Sequence, residues 1–301
     1  MADLWENMEQ FKLIRKAQFC NQADNDTIVC ALCAHNCKIS KDKAGICGVR
    51  RNNGGKLYAV GYGLVSSLAL DPIEKKPLYM FHPGKKVLSI GGFGCNLRCP
   101  FCQNCEISME YKERLINAER ILPEQIVDLA KKYTPDGNIG MAYTYNEPLI
   151  GYEFVYDCSK LIHEAGLKNV LVTNGYIARD PLEKLLLHID AMNIDLKGFT
   201  EDFYKKLGGR LEPVKETIKA AYKRCHIEVT TLIIPGENDS AEEIDAIAGW
   251  LASFDLNIPL HLTRFFPRYK YAKKAPTSRE TLYELCEIAK KRLNNVFMGN
   301  V

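Results

Sequence analysis

The chain has 301 residues, of which 47% are hydrophobic, and a formal net charge of +3 at pH 7. That length and apolar fraction suffice for one large folded domain with additions and exclude a disordered chain. Its apolar runs are strand-length, well short of the roughly 20 residues that cross a membrane, and its basic pairs are scattered, so neither membrane nor nucleic-acid binding is expected.

The start, "MADLWENMEQFKLIRKAQF", alternates charged and apolar residues and lacks a signal peptide's apolar centre, so a cytoplasmic location is expected. Of 12 cysteines, four follow as Cys30, Cys33, Cys37 and Cys47, in the pattern C-x2-C-x3-C-x9-C with His35 inside. In a reducing compartment such clustering argues for metal rather than disulfides. Four thiolates suit tetrahedral zinc and equally a fully ligated auxiliary iron-sulfur cluster, and both readings stay open. His35 is read as a hydrogen-bonding or solvent-facing residue, since four cysteines complete the shell. "GYGLVSSLALDPIEKKPLYMF" reads as extended or turning chain, and residues 1–86 form an amino-terminal extension without regular rhythm.

From residue 87 a rhythm of strand, turn and amphipathic segment begins. Strands are predicted at 87–92, 139–144, 169–174, 191–196, 227–234 and 259–265. Between them "PEQIVDLAKKY", "GYEFVYDCSKLIHEAG", "DPLEKLLL", "LEPVKETIKAAYKR" and "SAEEIDAIAGWLASF" carry helical apolar spacing, with Gly166 closing one helix. Six alternations imply a parallel sheet, doubly wound or closed as a barrel, with its active site at the carboxyl ends of the strands. Those ends are polar: Cys95, then "TYNEP", "TNG", "DLKG", "PGEND" and "RFFP".

The first strand end holds Cys95, Cys99, Cys102 and Cys105. The C-x3-C-x2-C spacing suits three corners of a cubane cluster with the fourth iron open to a ligand. Gly91, Gly92 and Gly94 allow the backbone to wrap closely and aim amides at the anionic sulfides. The competing reading is a closed site, with Cys105 as fourth ligand to zinc or to a ferredoxin-type cluster. Cys20, Cys158, Cys225 and Cys286 read as small buried hydrophobes or incidental residues.

With Phe101 just before its last cysteine, this pattern resembles the cluster motif of radical SAM enzymes. The resemblance implies a partial (β/α)6 TIM-type barrel over residues 87–301. It also implies a [4Fe-4S] cluster on Cys95, Cys99 and Cys102, whose open iron is chelated by the amino and carboxylate groups of S-adenosylmethionine. Gly94 falls in the cofactor-binding set with the strand ends: Glu147 or Asp195 for the cofactor's ammonium, Lys197 for its carboxylate, and Thr173 and Asn174 for ribose or the methionyl part. Ile233, Ile234 and Pro235 are set against adenine. Each has an ordinary alternative. Asp195 and Lys197 form a local ion pair, Asn174-Gly175 and Pro235-Gly236 only make turns, and Glu147 caps the helix opening at Pro148.

"GCNLRCPFCQNCEIS", "AYTYNEP", "LVTNGY", "NIDLKGF", "TTLIIPGEND" and "HLTRFFPRYK" stand in the order of the AmmeMemoRadiSam-system radical SAM proteins, relatives of pyruvate formate-lyase activating enzyme, and "CALCAHNCKISKDKAGICGVR" resembles their amino-terminal motif. That resemblance implies reductive cleavage of S-adenosylmethionine, followed by hydrogen abstraction from a substrate that a lateral opening allows to be a protein loop. It further implies anaerobic operation, a flavodoxin- or ferredoxin-type electron donor, and AMMECR1-like and Memo-like partner proteins. Arg264, Arg268, Tyr269 and Lys270 are candidates for substrate contact or for closing the barrel. Cys105 falls at a variable position and is not counted as a ligand.

Two departures bear on a second reading, activation of a glycyl-radical enzyme. Tyr145, Asn146 and Glu147 stand where such activases carry Gly-Gly-Glu, and Val172 stands where they carry an acid. Relatives also continue into a tail with a cysteine pair, whereas this chain stops at "FMGNV", through lack of the tail or truncation. A third reading is a non-catalytic module with zinc at both cysteine groups and its basic pairs against nucleic acid.

Overall fold

A computed structural model of the protein describes residues 15–301; the first fourteen residues of the amphipathic start lie outside the described part. The amino-terminal portion is built of small antiparallel sheets. One joins β1 (Arg15–Lys16), β6 (Lys56–Ala59) and β5 (Arg50–Asn53), and a second joins β2 (Cys20–Gln22), β3 (Thr27–Cys30) and β4 (Cys37–Ser40). A two-stranded pair of β7 (Leu64–Val65) and β10 (Glu119–Arg120) adds a third. Sheets this small bury little by themselves, and Ile28, Leu32, Ile39 and Leu57 join the main core instead.

The dominant sheet has eight strands, in the order β16, β15, β14, β13, β12, β11, β9, β8. These are β8 (Ser67–Pro72), β9 (Lys86–Gly91), β11 (Asn138–Tyr143), β12 (Lys168–Thr173), β13 (Ala191–Asp195), β14 (His226–Ile233), β15 (Leu260–Arg264) and β16 (Val296–Gly299). The six predicted strands are all present and parallel, each within a residue or so of its expected bounds. The structure adds two. β16 continues the parallel order beyond β15, and β8 pairs antiparallel with β9. β8 therefore completes the barrel's sheet from within the segment assigned to the amino-terminal extension.

Helices cover the outer face. Pro123–Lys132, Tyr152–Glu164, Arg179–Leu185, Leu211–Tyr222 and Ala241–Ala252 match the predicted segments, and Arg279–Ala289 follows the sixth strand. Ser240 and Ser278 accept the amides of Glu243 and Thr281, satisfying helix-end donors that would otherwise be unpaired. Outward-facing strand residues such as Leu171, Met192, Ile194 and Val229 pack with Ile162, Val214, Ile218 and Ile244 of these helices in one fully buried cluster.

The inward face is different, and it decides where a ligand can go. On the inner face Val87, Ala142, Val170 and Ala191 close around Ile73 and Leu78, plugging the barrel floor. A buried carboxylate fixes the plug: Glu228, 0% exposed, accepts the amides of Tyr79 (3.0 Å) and Met80 (2.8 Å), with His226 and His261 Nε2 at 2.9 and 2.6 Å. Burial opposes its charge, yet these four donors hold its pKa down at about 2. The depressed value means that the stabilisation is complete above the ordinary carboxylate range and fades as pH falls from about 4.5 toward about 2. Glu228→Ala is expected to cost on the order of 3 kcal/mol, by stranding buried donors, and to flatten the acid limb of the stability curve. Chemical denaturation of both proteins between pH 2 and 7 checks this.

Candidate active site

The carboxyl ends of the strands surround a cavity of about 340 Å³. The loop after β9 brings Cys95, Cys99 and Cys102 to its wall; β11 contributes Thr144, Tyr145 and Glu147; β12 contributes Val172, Thr173 and Asn174; β13 contributes Asp195 and Lys197. Thr230 and Leu232 of β14 and Thr263 of β15 complete the ring. Six strand ends thus face one mouth. Sequence reading missed Thr230, Leu232 and Thr263, although strict two-residue alternation through β14 would have set Thr230 and Leu232 on the same face as Glu228.

The cysteine loop is shaped by short-range contacts. Gly94 adopts φ +84°, and a Cβ there would stand 2.5 Å from the Cys47 carbonyl, so only glycine fits. The amide of Leu97 lies 3.4 Å from Cys95 Sγ, and the amide of Asn104 lowers the Cys102 thiol in the same manner. Even so, burial raises all three thiols, Cys99 to about 11, with neighbouring cysteines adding to the rise. Buried thiols in this state become thiolates on coordinating metal, which makes them suitable ligands. Among the described residues no three His, Cys, Asp or Glu side chains converge at single-ion spacing. A cubane takes its three thiolates at separate corners, so these donors fit such a core without convergence on one point. Cys105 begins the short helix Cys105–Ser108, is buried, and does not line the cavity.

Glu147 is 3% exposed and heavily engaged. Its Oε1 accepts the Thr173 hydroxyl (2.7 Å) and the Leu149 amide (2.9 Å), and its Oε2 accepts the Asn174 amide (2.8 Å). It is therefore the cap of the turn at Pro148–Gly151 and also the tie between two strand ends. Asn174 extends the network: its Nδ2 reaches Asn96 Oδ1 at 2.9 Å and Cys95 Sγ at 3.6 Å. Asp195 and Lys197 form the local ion pair anticipated, at 2.8 Å, while both still line the cavity. Burial opposes the ammonium of Lys197, but Asp195 and the Cys99 thiol outweigh it and raise its pKa. Asn238 of the "PGEND" turn donates to the Lys197 carbonyl at 2.8 Å and so holds that segment in place.

Four predicted positions do not line the cavity. Ile234 is 0% exposed and belongs to the core, Pro235 lies beyond it with its carbonyl bonded to Lys274, and Gly94 acts through backbone shape. Ile233 is likewise buried in the core. Of the basic segment after β15, Arg268 pairs with Glu106 at 3.0 Å, the Tyr271 amide bonds to the Pro100 carbonyl and Gln103 donates to the Phe266 carbonyl, so this segment lies over the cysteine loop. Arg264 donates to the Thr277 carbonyl, Tyr269 takes φ +53°, and Lys270 lies over the Tyr269 ring.

A further feature had no local signal. Tyr145 holds a left-handed backbone, φ +69°, where an L-residue is strained. Its hydroxyl donates to Asp71 at 2.6 Å, and Lys76, 3% exposed, stands 2.8 Å from Asp71 and 4.5 Å from the tyrosine ring centroid. Against the penalty of burial, Lys76 and Tyr145 hold the Asp71 carboxyl down at about 2.

Residues 89–251 match the model of the radical SAM superfamily, and the chain belongs to that superfamily. It is an enzyme with a [4Fe-4S] cluster and S-adenosylmethionine as cofactors, and it cleaves S-adenosylmethionine reductively to start radical chemistry. An uncharacterized protein of Methanocaldococcus jannaschii is 44% identical over 292 residues, covering 96% of this chain and 86% of that protein. Pyruvate formate-lyase-activating enzyme of Clostridium pasteurianum is 28% identical over 157 residues, 52% of this chain and 65% of the enzyme. The crystal structure of Streptococcus suis SuiB superposes with a TM-score of 0.52 at 14% identity, over 71% of this chain and 50% of that one, a likeness of fold alone.

Burial raises Glu147 to about 7 even though three donors pull it down. For a carboxyl raised in this way, its contribution to stability is complete below its ordinary value near 4.5 and is lost as pH climbs through about 7. Glu147→Gln, neutral throughout, is expected to remove that component. Paired thermal melts between pH 5 and 8 would show the wild type losing ground to the variant as pH rises.

Proposed function

We propose that the cavity at the strand ends is where the radical is generated and where substrate hydrogen is removed, with Cys95, Cys99 and Cys102 as the cluster ligands. One observation carries the reading: the three thiols share a single cavity with the Asp195–Lys197 pair and with Asn174. The cofactors supply, when bound, one-electron cleavage of the sulfonium bond to methionine and a 5′-deoxyadenosyl radical.

The chain's own residues bind and orient. Lys197 offers its ammonium to the cofactor's carboxylate and Asp195 its carboxylate to the amino group, so ligand binding replaces a salt bridge with two charge-matched contacts. Thr173 and Asn174 shape the ribose or methionyl side of the cavity from a turn that Glu147 fixes from behind. With its oxygens engaged, Glu147 acts through those two residues as a positioning group, a revision of its expected direct contact with the ammonium. Gly94 keeps the loop close to the cluster, and Ile234 and Pro235 support the adenine side from outside the cavity wall.

The four amino-terminal cysteines hold a second metal in this reading, zinc or an auxiliary iron-sulfur cluster. A cytoplasmic, anaerobic setting, a flavodoxin- or ferredoxin-type electron donor and AMMECR1-like and Memo-like partners complete it. The substrate is a protein segment reaching the mouth across Arg264, Arg268, Tyr269 and Lys270.

A second reading, activation of a glycyl-radical enzyme, is favoured by the relative from Clostridium pasteurianum. Tyr145, in place of a glycine and packed into the cavity wall by Asp71 and Lys76, speaks for a different substrate. The decisive experiment gives anaerobically reconstituted protein dithionite and S-adenosylmethionine. 5′-Deoxyadenosine should form, and Cys99→Ala should abolish it. No product from protein with an intact cluster would point to a closed fourth iron. A stable glycyl radical formed in an added partner enzyme would establish the second reading.

A further inference from the structure

The barrel sheet ends at β8 on one side and at β16 on the other, and among the described residues no pairing joins the two, so the wall is open between them. The floor segment crosses this gap. Asn193 donates to the Pro77 carbonyl at 2.8 Å, and the Tyr79 ring stands 4.7 Å from that of His261 and 5.0 Å from that of Phe297 on β16. The turn Ile73–Lys75 leads from β8 into that segment, and its Lys75 and the following Lys76 both line the cavity. Two lysines thus stand on the β8 side of the opening.

Charge is matched elsewhere on the cavity wall but not here. Asp195 and Lys197 pair with each other, and Glu147 is engaged by its three donors. Asp71 faces both lysines of the opening, 3.4 Å from Lys75 Nζ and 2.8 Å from Lys76 Nζ. Two ammoniums against one carboxylate leave one positive charge over. Asp71 takes the charge of the buried Lys76, while Lys75, with its side chain 67% exposed and its contact long, is the arm left to a ligand.

The group behind these lysines is fixed on every side. Tyr145 donates its hydroxyl to Asp71 at 2.6 Å and lays its ring 4.5 Å from Lys76 Nζ. A Cβ at Gly91 would stand 3.0 Å from Tyr145 Cδ2, so glycine there seats the ring, and Asn104 of the cysteine loop holds the Tyr145 carbonyl at 2.7 Å. The left-handed backbone of Tyr145 is the cost of this placement. Strain of that kind persists where surrounding contacts over-determine it, and it collects at ligand clamps.

We propose that Lys75, set beside Lys76, Asp71 and the Tyr145 ring, is a substrate-anion site: the substrate enters between β8 and β16 and presents a carboxylate or phosphate group to it. The inference rests on the reading of this cavity as the place of hydrogen abstraction. The anion meets the unmatched charge beside a poorly solvated wall, where the attraction is stronger than in bulk water. The tyrosine ring offers the adjoining carbon skeleton an apolar face. Anchoring the substrate at one end fixes which of its hydrogens faces the cysteine-bearing side of the same cavity, which is how a binding contact becomes a choice of reacting atom.

The test is equilibrium dialysis of radiolabelled inorganic phosphate and of glutarate against full-length, anaerobically reconstituted protein saturated with S-adenosylmethionine and kept free of reductant. The wild type should bind one equivalent, and whichever probe binds more tightly identifies the group. Lys75→Gln removes the unmatched charge at an exposed position and should weaken binding about tenfold. Asp71→Asn leaves both ammoniums unopposed and should tighten binding, an opposite shift that damage to the fold would not produce. If Asp71→Asn does not fold by circular dichroism, Lys75→Glu reverses the charge instead and should abolish binding. No binding of either probe to the wild type, unchanged binding in Lys75→Gln, or weaker binding in folded Asp71→Asn would overturn the proposal. Binding is read without reductant, so these outcomes are independent of 5′-deoxyadenosine formation, whose absence would count against the radical reading instead.

Discussion

The buried carboxylate of Glu147 is the point on which the mouth of this barrel depends. Three donors from two successive strand ends converge on it, and through Asn174 the network continues to Asn96 and Cys95. Parallel strands share no side chains at their ends, so without such a tie each loop would settle independently. The carboxylate converts three separate loops into one surface, and burial gives those hydrogen bonds more weight than they would have in water.

A second carboxylate does the corresponding work at the other end of the barrel. Glu228 anchors residues 79 and 80 across the floor, and above it Asn193 exchanges hydrogen bonds with Thr230 and reaches the Pro77 carbonyl. The interior thus runs from an apolar plug tied down by Glu228, through a neutral polar layer, to the charged and sulfur-bearing groups that line the mouth.

Much of this arrangement was legible in the sequence because it is local. The six strands are β-branched or apolar runs punctuated by turns, and each carries its chemistry within a few residues of its end. The helix Arg279–Ala289, which was not among the predicted segments, carries the same signal, with Leu282, Leu285, Cys286 and Ala289 at helical spacing. β8 was not, because its pairing with β9 is a tertiary choice that "SLALDP" does not reveal. Nor was the bond of Tyr145 to Asp71, 74 residues away. The same holds for the engagement of Glu147: sequence reading gave it a cap and a cofactor contact as alternatives, and the structure makes it a cap that also ties Thr173 and Asn174 to its own strand end.

The elevated thiol pKa values bear on how such a protein survives before it is loaded. Burial pushes the Cys33 thiol up to about 12 and the Cys99 thiol to about 11, which favours the protonated form of these two near neutrality. Protonated thiols are poor nucleophiles and slow to exchange or oxidise. Cys33 and Cys99 are therefore chemically quiet in the metal-free chain. A thiol held in this way must release its proton to bind metal, so metal uptake at the proposed ligands competes with acidity.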